Sequence, residues 1–461
     1  MTIVLLSLVY FLSGAFLFYQ AWVHWQLMRA SAPEGGTRPA LLPLALPPVV
    51  VQLPLYNEPA VVIRLLDAVA ALEWPVALEV QILDDSTDHT PQLVGEWLAN
   101  HRGRNRFTHL RRSDRQGFKA GALAAAPVPA EAVVAIFDAD FVPHRDFLVR
   151  AVPRLVANPL VAAVQARWDH LNPAQSILTS VQALNLDAHF AVEQEGRFRL
   201  GCWNSFNGTA GVWRQAAIEA AGGWSHDTLA EDLDLSIRAQ LAGWTIVYAD
   251  DIGAPAELPA AMPAYLAQQR RWTQGGAACA AKHLRSVRRH LPSGRLRFHA
   301  TAMLLASSIH IPVWLMTTAS VPLLIEATRF SNIPLRIGMI FSLTLSMFVA
   351  LYLIAARRRA NTGHFPLRML AMLALGSGTT FHNAQAALAG WRRRQAEFVR
   401  TPKAGAAAPL SISRAGFAFS EWTHVLWFGA GVAWGIHSGE WGLVPFHALI
   451  ATGYAWVAWS R

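Results

Sequence analysis

Two aspartates one residue apart close an apolar run at 133–141, "VVAIFDADF". Side chains at i and i+2 of an extended segment project to the same side, so Asp138 and Asp140 aim together. Two carboxylates held that close raise each other's pKa unless a cation lies between them, and an all-oxygen donor pair suits Mg2+ or Mn2+. Such an ion ordinarily completes its shell with substrate phosphates. Aspartates are equally at home in solvated strand-end turns, so the triplet alone leaves both readings open.

More residues of the same chemistry are spread along the chain. "LDDSTD" (83–88) ends another apolar run with Asp84 and Asp85. "RQGFKAGAL" (115–123) puts Lys119 among small residues at a helix start, where an ammonium and backbone N–H groups can meet phosphate oxygens; a solvated lysine fits too. "LAEDLDLSIRAQLAGW" (229–244) opens a helix with Glu231 and Asp232, which read alone are complements to the helix dipole. In "QQRRW" (268–272), Gln268, Arg271 and Trp272 stand at i, i+3 and i+4 and share a helical face. An arginine gripping a pyrophosphate beside an aromatic platform for a sugar ring would use that arrangement, and so would an anchor at a membrane interface. "FNGTAGVWR" (206–214) reads as a Gly-punctuated loop.

These residues need a scaffold, and the pattern supplies one. Strand-like runs at 49–54, 78–83, 106–111, 132–137 and 160–166 alternate with helix-like runs at 59–72, 90–100, 117–126 and 145–157. That alternation predicts an α/β fold with a mostly parallel sheet covered on both faces, in which ligands collect at the carboxyl ends of the strands. The acidic pairs fall at those ends. Neither a Gly-x-Gly-x-x-Gly loop nor a Walker Gly-Lys-Ser is present, which disfavours dinucleotide and P-loop enzymes.

The flanks read differently. Of the 461 residues, 53% are hydrophobic, and residues 2–25 form an uncharged stretch long enough to cross a bilayer. No basic residue precedes it, so a retained anchor (1–26) is expected rather than a cleaved signal. Further apolar segments at 298–325, 335–356, 420–437 and 442–459 bring the expectation to five spans, with 366–389 as an interfacial or re-entrant helix pair because it carries Arg368, His382, Asn383 and Gln385. Basic clusters at 282–297, 357–359 and 392–394 make up much of the net charge of +9 and place the large domain on the cytoplasmic side. A Pro-rich connector (27–47), a catalytic domain (48–260), amphipathic interfacial helices (261–297) and a membrane region (298–461) complete the layout. No nucleic-acid module is recognisable, so nucleic acid is not an expected partner. Cys202 and Cys279 have no metal or redox spacing and read as reduced packing residues.

Taken in order, Asp84-Asp85, Asp138-x-Asp140, Glu231-Asp232 and Gln268-x-x-Arg271-Trp272 resemble the membrane-embedded inverting glycosyltransferases of family two, over roughly residues 48–403. "FNGTAGVWR", "EDLDLS" and "QQRRW" are most similar to the cellulose-synthase-like mannan and glucan synthases and their bacterial relatives. The resemblance implies a nucleotide-diphospho-sugar transferase fold. It casts Asp84 or Asp85 on the nucleotide base and ribose, Lys119 on the diphosphate, and Asp138 with Asp140 on the nucleotide and on Mg2+ or Mn2+. Asp232 becomes the general base, with Glu231 beside it in the substrate-binding set. Gln268, Arg271 and Trp272 would bind diphosphate and acceptor sugar, and Phe206, Asn207 and Gly208 would line the acceptor end. "FVRTPK" (398–403) is similar to a gating loop, within 391–413, through which Arg400, Thr401 and Lys403 would close over the donor.

Two positions depart from the pattern: Ala230 stands where a threonine usually precedes Glu-Asp, and Thr209 replaces the cysteine-containing acceptor loop. The implied activity is transfer of a hexose from UDP-glucose or GDP-mannose to a growing β-linked polysaccharide that is threaded across the membrane. The alternative is a single transfer to a glycolipid acceptor: ceramide, diacylglycerol or a polyprenyl phosphate. The expected setting is a bacterial inner membrane, with the bilayer and accessory export proteins as partners.

Overall fold

The computed structural model describes residues 2–31, 42, 45–327, 333–393 and 414–461. The gating-loop residues Arg400, Thr401 and Lys403, and most of the 27–47 connector, lie outside them. The strands are β1 (Val49–Leu55), β2 (Glu79–Asp84), β3 (Arg106–Leu110), β4 (Val133–Ile136), β5 (Val161–His170), β6 (Gly211–Arg214) and β7 (Thr245–Ala256). They form one sheet in the spatial order β3-β2-β1-β4-β6-β5-β7. β1 to β4 pair in parallel, as do β5 and β7, whereas β6 runs antiparallel to both β4 and β5.

Six of the seven strands run the same way, so the sheet is mostly parallel as expected, and β6 alone makes it mixed. β6 occupies four residues inside the stretch read as a loop, too few to display an alternation between its flanking glycine and the following helix. Elsewhere the runs that became β1, β2, β4 and the first part of β5 are buried on both faces, whereas β3, at the edge of the sheet, is only half-buried. In β4, Val133 and Ala135 join one core with Phe147, Leu148 and Val152, while Val134 and Ile136 join the opposite core with Trp213 and Leu235. β2 lies on one side of β1 and β4 on the other, so the carboxyl ends of β1 and β4 flank the point where strand order reverses.

Two helices among the described residues, Val4–Ala30 and Gly294–Glu326, are long and apolar enough to cross a membrane. The other stretches expected to span are helical as well: 335–356 within Ile333–Arg358, 420–437 within Arg414–Ser438, and 442–459 across the 3-10 turn Trp441–Leu443 and the helix Val444–Trp459. Residues 366–389 form no helix pair. They lie in one continuous helix, Phe365–Trp391, whose proline sits in its first turn, where it breaks no hydrogen bond. The interfacial region runs differently from the 261–297 expectation too: helix Met262–His290 is followed by Gly294–Leu305, which a short 3-10 turn joins to His310–Ala327. No proline falls between Gly294 and His310 to end it.

Helix Glu231–Leu241 is pinned to helix Met262–His290 through Asp234, which is fully buried and accepts from Arg238 Nε, His283 Nε2 and Lys282 Nζ, each at 2.7 Å. Burial opposes its charge, but these three partners hold the carboxyl far below the usual range. Asp234→Ala leaves cations buried without their counterion and is expected to cost about 3–5 kcal/mol of stability, read as a lowered thermal midpoint.

Candidate active site

The loops after β1, β2 and β4 meet at a cleft of about 220 Å³. Those loops are stitched together: Asn57, in a left-handed conformation, donates its backbone N–H to Ser86 Oγ (2.8 Å) and accepts from the backbone of Thr87 (2.8 Å). Of the residues singled out in the sequence, Asp85, Lys119, Asp138 and Asp140 line the cleft from the sheet side. Asn207, Gly208, Glu231 and Asp232 line it from the loop before β6 and from a helix start, and Gln268, Arg271 and Trp272 from the helix Met262–His290.

Asp84 and Phe206 do not line it. Asp84 ends β2 pointing to the opposite face from Asp85; it is 1% exposed, accepts from the Ser86 backbone (2.9 Å) and lies 2.8 Å from His109 Nε2. Asp85 alone faces the cleft, gripped by both arms of the Arg112 guanidinium, with Nε to Oδ1 at 3.0 Å. Phe206 is 1% exposed and stacks edge-on against Trp213 with centroids 5.5 Å apart, so it anchors the loop from behind. The lining residues that the sequence did not single out include Tyr56, Glu58, Arg115 and Trp168. The Arg115 guanidinium lies 3.2 Å from the Tyr56 ring centroid. For the first three the only sequence signal was their place just beyond a strand end and just before Lys119.

Lys119 joins the parts. Its Nζ donates to Asp138 Oδ1 (2.5 Å) and to the Gly208 carbonyl (2.8 Å), and lies 3.9 Å from Glu231 Oε1. Burial works against the ammonium, but Asp138, Glu231 and Asp232 outweigh it and raise its pKa. The hydroxyl of Thr209, one of the two departures from the family pattern, accepts the Asp138 backbone N–H at 2.9 Å and so fixes the first metal-candidate aspartate. Ala230, the other departure, lies against Gly275, where an added Cβ would come within 2.9 Å of the alanine methyl. Small residues on both sides let the helix carrying Arg271 close onto the helix start carrying Asp232.

Burial, then the neighbouring Glu231, pushes the Asp232 carboxyl up to about 7, despite the opposing pull of Lys119. Burial raises Glu231 too. A carboxyl held at about 7 changes its protonation state near neutral pH. Burial lowers the pKa of the Arg271 guanidinium against the pull of Asp138, Glu231, Asp140 and Glu58, and an arginine stays charged through any such shift. Trp272 stands 6.3 Å, ring to ring, from Trp168, which gives the mouth an aromatic wall.

Gly208 adopts φ of +82°, and a Cβ there would sit 3.0 Å from Asp232 Oδ2 and 3.4 Å from Lys119 Nζ. Gly208→Ala therefore both strains the backbone and crowds these two groups. It is expected to lower kcat at least tenfold at a stability loss of about 1 kcal/mol, measured by steady-state kinetics beside thermal unfolding.

The lining sets six carboxylates (Glu58, Asp85, Asp138, Asp140, Glu231 and Asp232) against three cations (Arg115, Lys119 and Arg271). Such a cleft repels a polyphosphate unless a divalent cation enters with it. Among the described residues no group of three or more His, Cys, Asp or Glu is arranged to hold a metal ion. Two carboxylates, Asp138 and Asp140, with the remaining ligands left to substrate oxygens, fit Mg2+ or Mn2+.

A sheet of this order, with strand-end acids and a half-buried lysine beside them, is a GT-A-like nucleotide-diphospho-sugar transferase fold. Residues 50–195 match the model of glycosyl transferase family 2, and residues 133–356 match that of glycosyl transferase family group 2. Between them the two models place glycosyltransferase family 2 sequence over residues 50–356. The chain is 44% identical over 267 residues to glucomannan 4-beta-mannosyltransferase 1 of Oryza sativa subsp. japonica, a match covering 56% of this chain and 50% of the relative. It is 42% identical over 263 residues to a probable glucomannan 4-beta-mannosyltransferase 1 of Arabidopsis thaliana, covering 55% and 46%. The chain thus spans about half the length of the curated relatives it matches. Among solved structures, the mannosyltransferase PcManGT from Pyrobaculum calidifontis, in complex with GDP-Man and Mn2+, superposes with a TM-score of 0.55 at 22% identity, covering 85% of this chain and all of that one. At that identity the likeness speaks to the fold.

Proposed function

We propose that this chain is an inverting hexosyltransferase that extends a β-linked polysaccharide from a nucleotide-diphospho-sugar and passes the product across a membrane through its own five spans, its cleft on the cytoplasmic side. The observation that carries the reading is the gathering of Lys119, Asp138, Glu231, Asp232 and Arg271, drawn from four separate stretches of the chain, around one cleft. In one displacement, the acceptor hydroxyl oxygen attacks the anomeric carbon and its proton passes to Asp232. The bond to the diphosphate breaks, and its electron pair leaves with the nucleoside diphosphate. Lys119 and Arg271 offset the charge that develops there. Asp138 and Asp140 would hold Mg2+ or Mn2+, which neutralises diphosphate oxygens when bound. Asp85, with Tyr56 and Arg115, is suited to the base and ribose, and Trp272 with Trp168 to stacking on acceptor sugar.

GDP-mannose is the first donor to test, given what the relatives and PcManGT are named for; UDP-glucose is the second. Purified full-length protein with radiolabelled donor and Mn2+ is expected to yield a ladder of water-soluble or insoluble glycan. One organic-soluble product would replace polymerisation by transfer to a lipid, and no incorporation from any nucleotide sugar would end the reading.

The pH dependence follows from Asp232. A base must be ionised to act, and a carboxyl raised to about 7 is ionised only above that pH. kcat/KM is therefore expected to climb through an acid limb near pH 7, falling about tenfold per unit below it. The limb belongs to the Glu231 and Asp232 pair jointly. A limb near pH 4 would mean that neither carboxyl is held up in the working enzyme.

A further inference from the structure

The acceptor side of the cleft is joined to the first apolar helix by a line of polar contacts that the chemistry above does not use. Asn207 donates its backbone N–H to Gln165 Oε1 (2.7 Å), and its Oδ1 accepts from Gln194 Nε2 (3.0 Å) and Ser205 Oγ (3.1 Å). Those two bonds fix which end of the amide is oxygen, so Nδ2 donates to His189 Nε2 at 2.9 Å. A ring nitrogen that accepts carries no proton, which puts the His189 proton on Nδ1, 3.1 Å from Glu193 Oε2. The other oxygen of Glu193 is 3.1 Å from Nε2 of His24, whose Nδ1 is 2.7 Å from the Gln20 carbonyl oxygen. Both nitrogens of His24 face acceptors, an arrangement that calls for an imidazolium paired with the carboxylate. Arg197 brings a second cation to 3.6 Å from Glu193.

The backbone bears a mark at the same place. His189–Gln194 is a π-helical turn between the α-helices Ile177–Ala188 and Glu195–Arg199. Such turns are rare and recur at functional sites, and this one falls on the residues that make the link. An ionisable side chain on an apolar helix, met by a named partner, points the same way.

We propose that His189 and Glu193 are positioning residues that hold Asn207 at the acceptor end of the cleft, and that His24 makes this placement depend on the seating of the first apolar helix. One Nδ2 hydrogen of Asn207 is engaged by His189; the second is the donor offered to a hydroxyl of the acceptor sugar. The sugar assignment rests on the glycosyltransferase reading, whereas the link itself does not.

The test uses the full chain in lipid nanodiscs and compares His189→Phe, Asn207→Ala and the double variant. Phenylalanine keeps a ring to pack on Phe190, whose centroid is 5.0 Å away, and removes the accepting nitrogen. KM for a β-linked manno- or cello-oligosaccharide is expected to rise about tenfold in His189→Phe, with kcat and nucleoside diphosphate affinity within about twofold of wild type. The double variant should be no worse than the worse single one, because both remove the same contact. His189→Gln, whose amide oxygen can accept from Asn207, should restore most of the loss. Independent, multiplying effects would overturn the link. Hydrogen exchange of the 204–210 peptide is read in parallel and should quicken in His189→Phe and, to a smaller degree, in His24→Phe. That measurement needs no turnover, so it separates failure of this link from failure of the functional reading. Should His189→Phe lose nucleotide binding altogether, His24→Phe decides: exchange at 204–210 equal to wild type overturns the proposal.

Discussion

Asp232→Asn is expected to lower kcat by about 10³-fold while leaving nucleoside diphosphate affinity within about threefold of wild type. Asparagine matches the carboxylate in shape and can still accept the Leu233 backbone N–H that Asp232 Oδ1 receives at 2.7 Å, so the helix start is preserved. What it cannot do is take a proton from a sugar hydroxyl. The residues suited to the diphosphate, Lys119 and Arg271, are untouched, which is why binding should survive. Calorimetry with GDP or UDP and Mn2+, beside turnover, separates the two properties. Wild-type turnover would remove Asp232 from the role of base; lost binding would move it into the donor site.

Lys119→Met carries the second large effect. The ammonium holds Asp138 and the Gly208 carbonyl together and is the leading opposing charge on Glu231 and Asp232. In the proposed mechanism its removal takes away charge stabilisation of the leaving group, an expected loss of about 10²–10³ in kcat/KM. It also leaves the acidic pair more strongly repelled. Because Lys119 lowers the pKa of both carboxyls, its loss must raise them, and the acid limb of the residual activity should move to higher pH. A rate loss with an unmoved limb would show that the ammonium meets the donor without tuning the base.

The site was readable where an apolar run broke off into acids, since a strand that buries both faces has to release charge at its end. Asp138, Asp140 and Asp85 came out of that logic, Lys119 out of its place among small residues at a helix start, and Arg271 with Trp272 out of helical spacing. The choice between Asp84 and Asp85 could not come from the sequence: adjacent residues leave a strand on opposite faces, and only the pairing with His109 and Arg112 decides which one turns inward. β6 hid for a different reason. Its strand character is imposed by β4 and β5 on either side, not by its own four residues. The π-turn at His189 leaves no compositional trace, because its residues are ordinary helix formers whose hydrogen bonding is decided by tertiary contacts. Tyr56 and Arg115 were visible as residues but not as partners, since their stacking joins loops after different strands.

One continuous helix, Met262–His290, carries Gln268, Arg271 and Trp272 into the cleft, while its own Leu266 carbonyl lies 3.1 Å from His382 Nε2 on the helix Phe365–Trp391. One of the three cations that line the cleft, Arg271, thus comes from a helix packed on Phe365–Trp391, whereas Arg115 and Lys119 come from the α/β domain. A truncated product cut at residue 260 would keep Lys119, Asp138 and Asp232, and would still lose the arginine that faces them. Detergents that loosen the bundle should for the same reason silence transfer well before the α/β domain begins to melt.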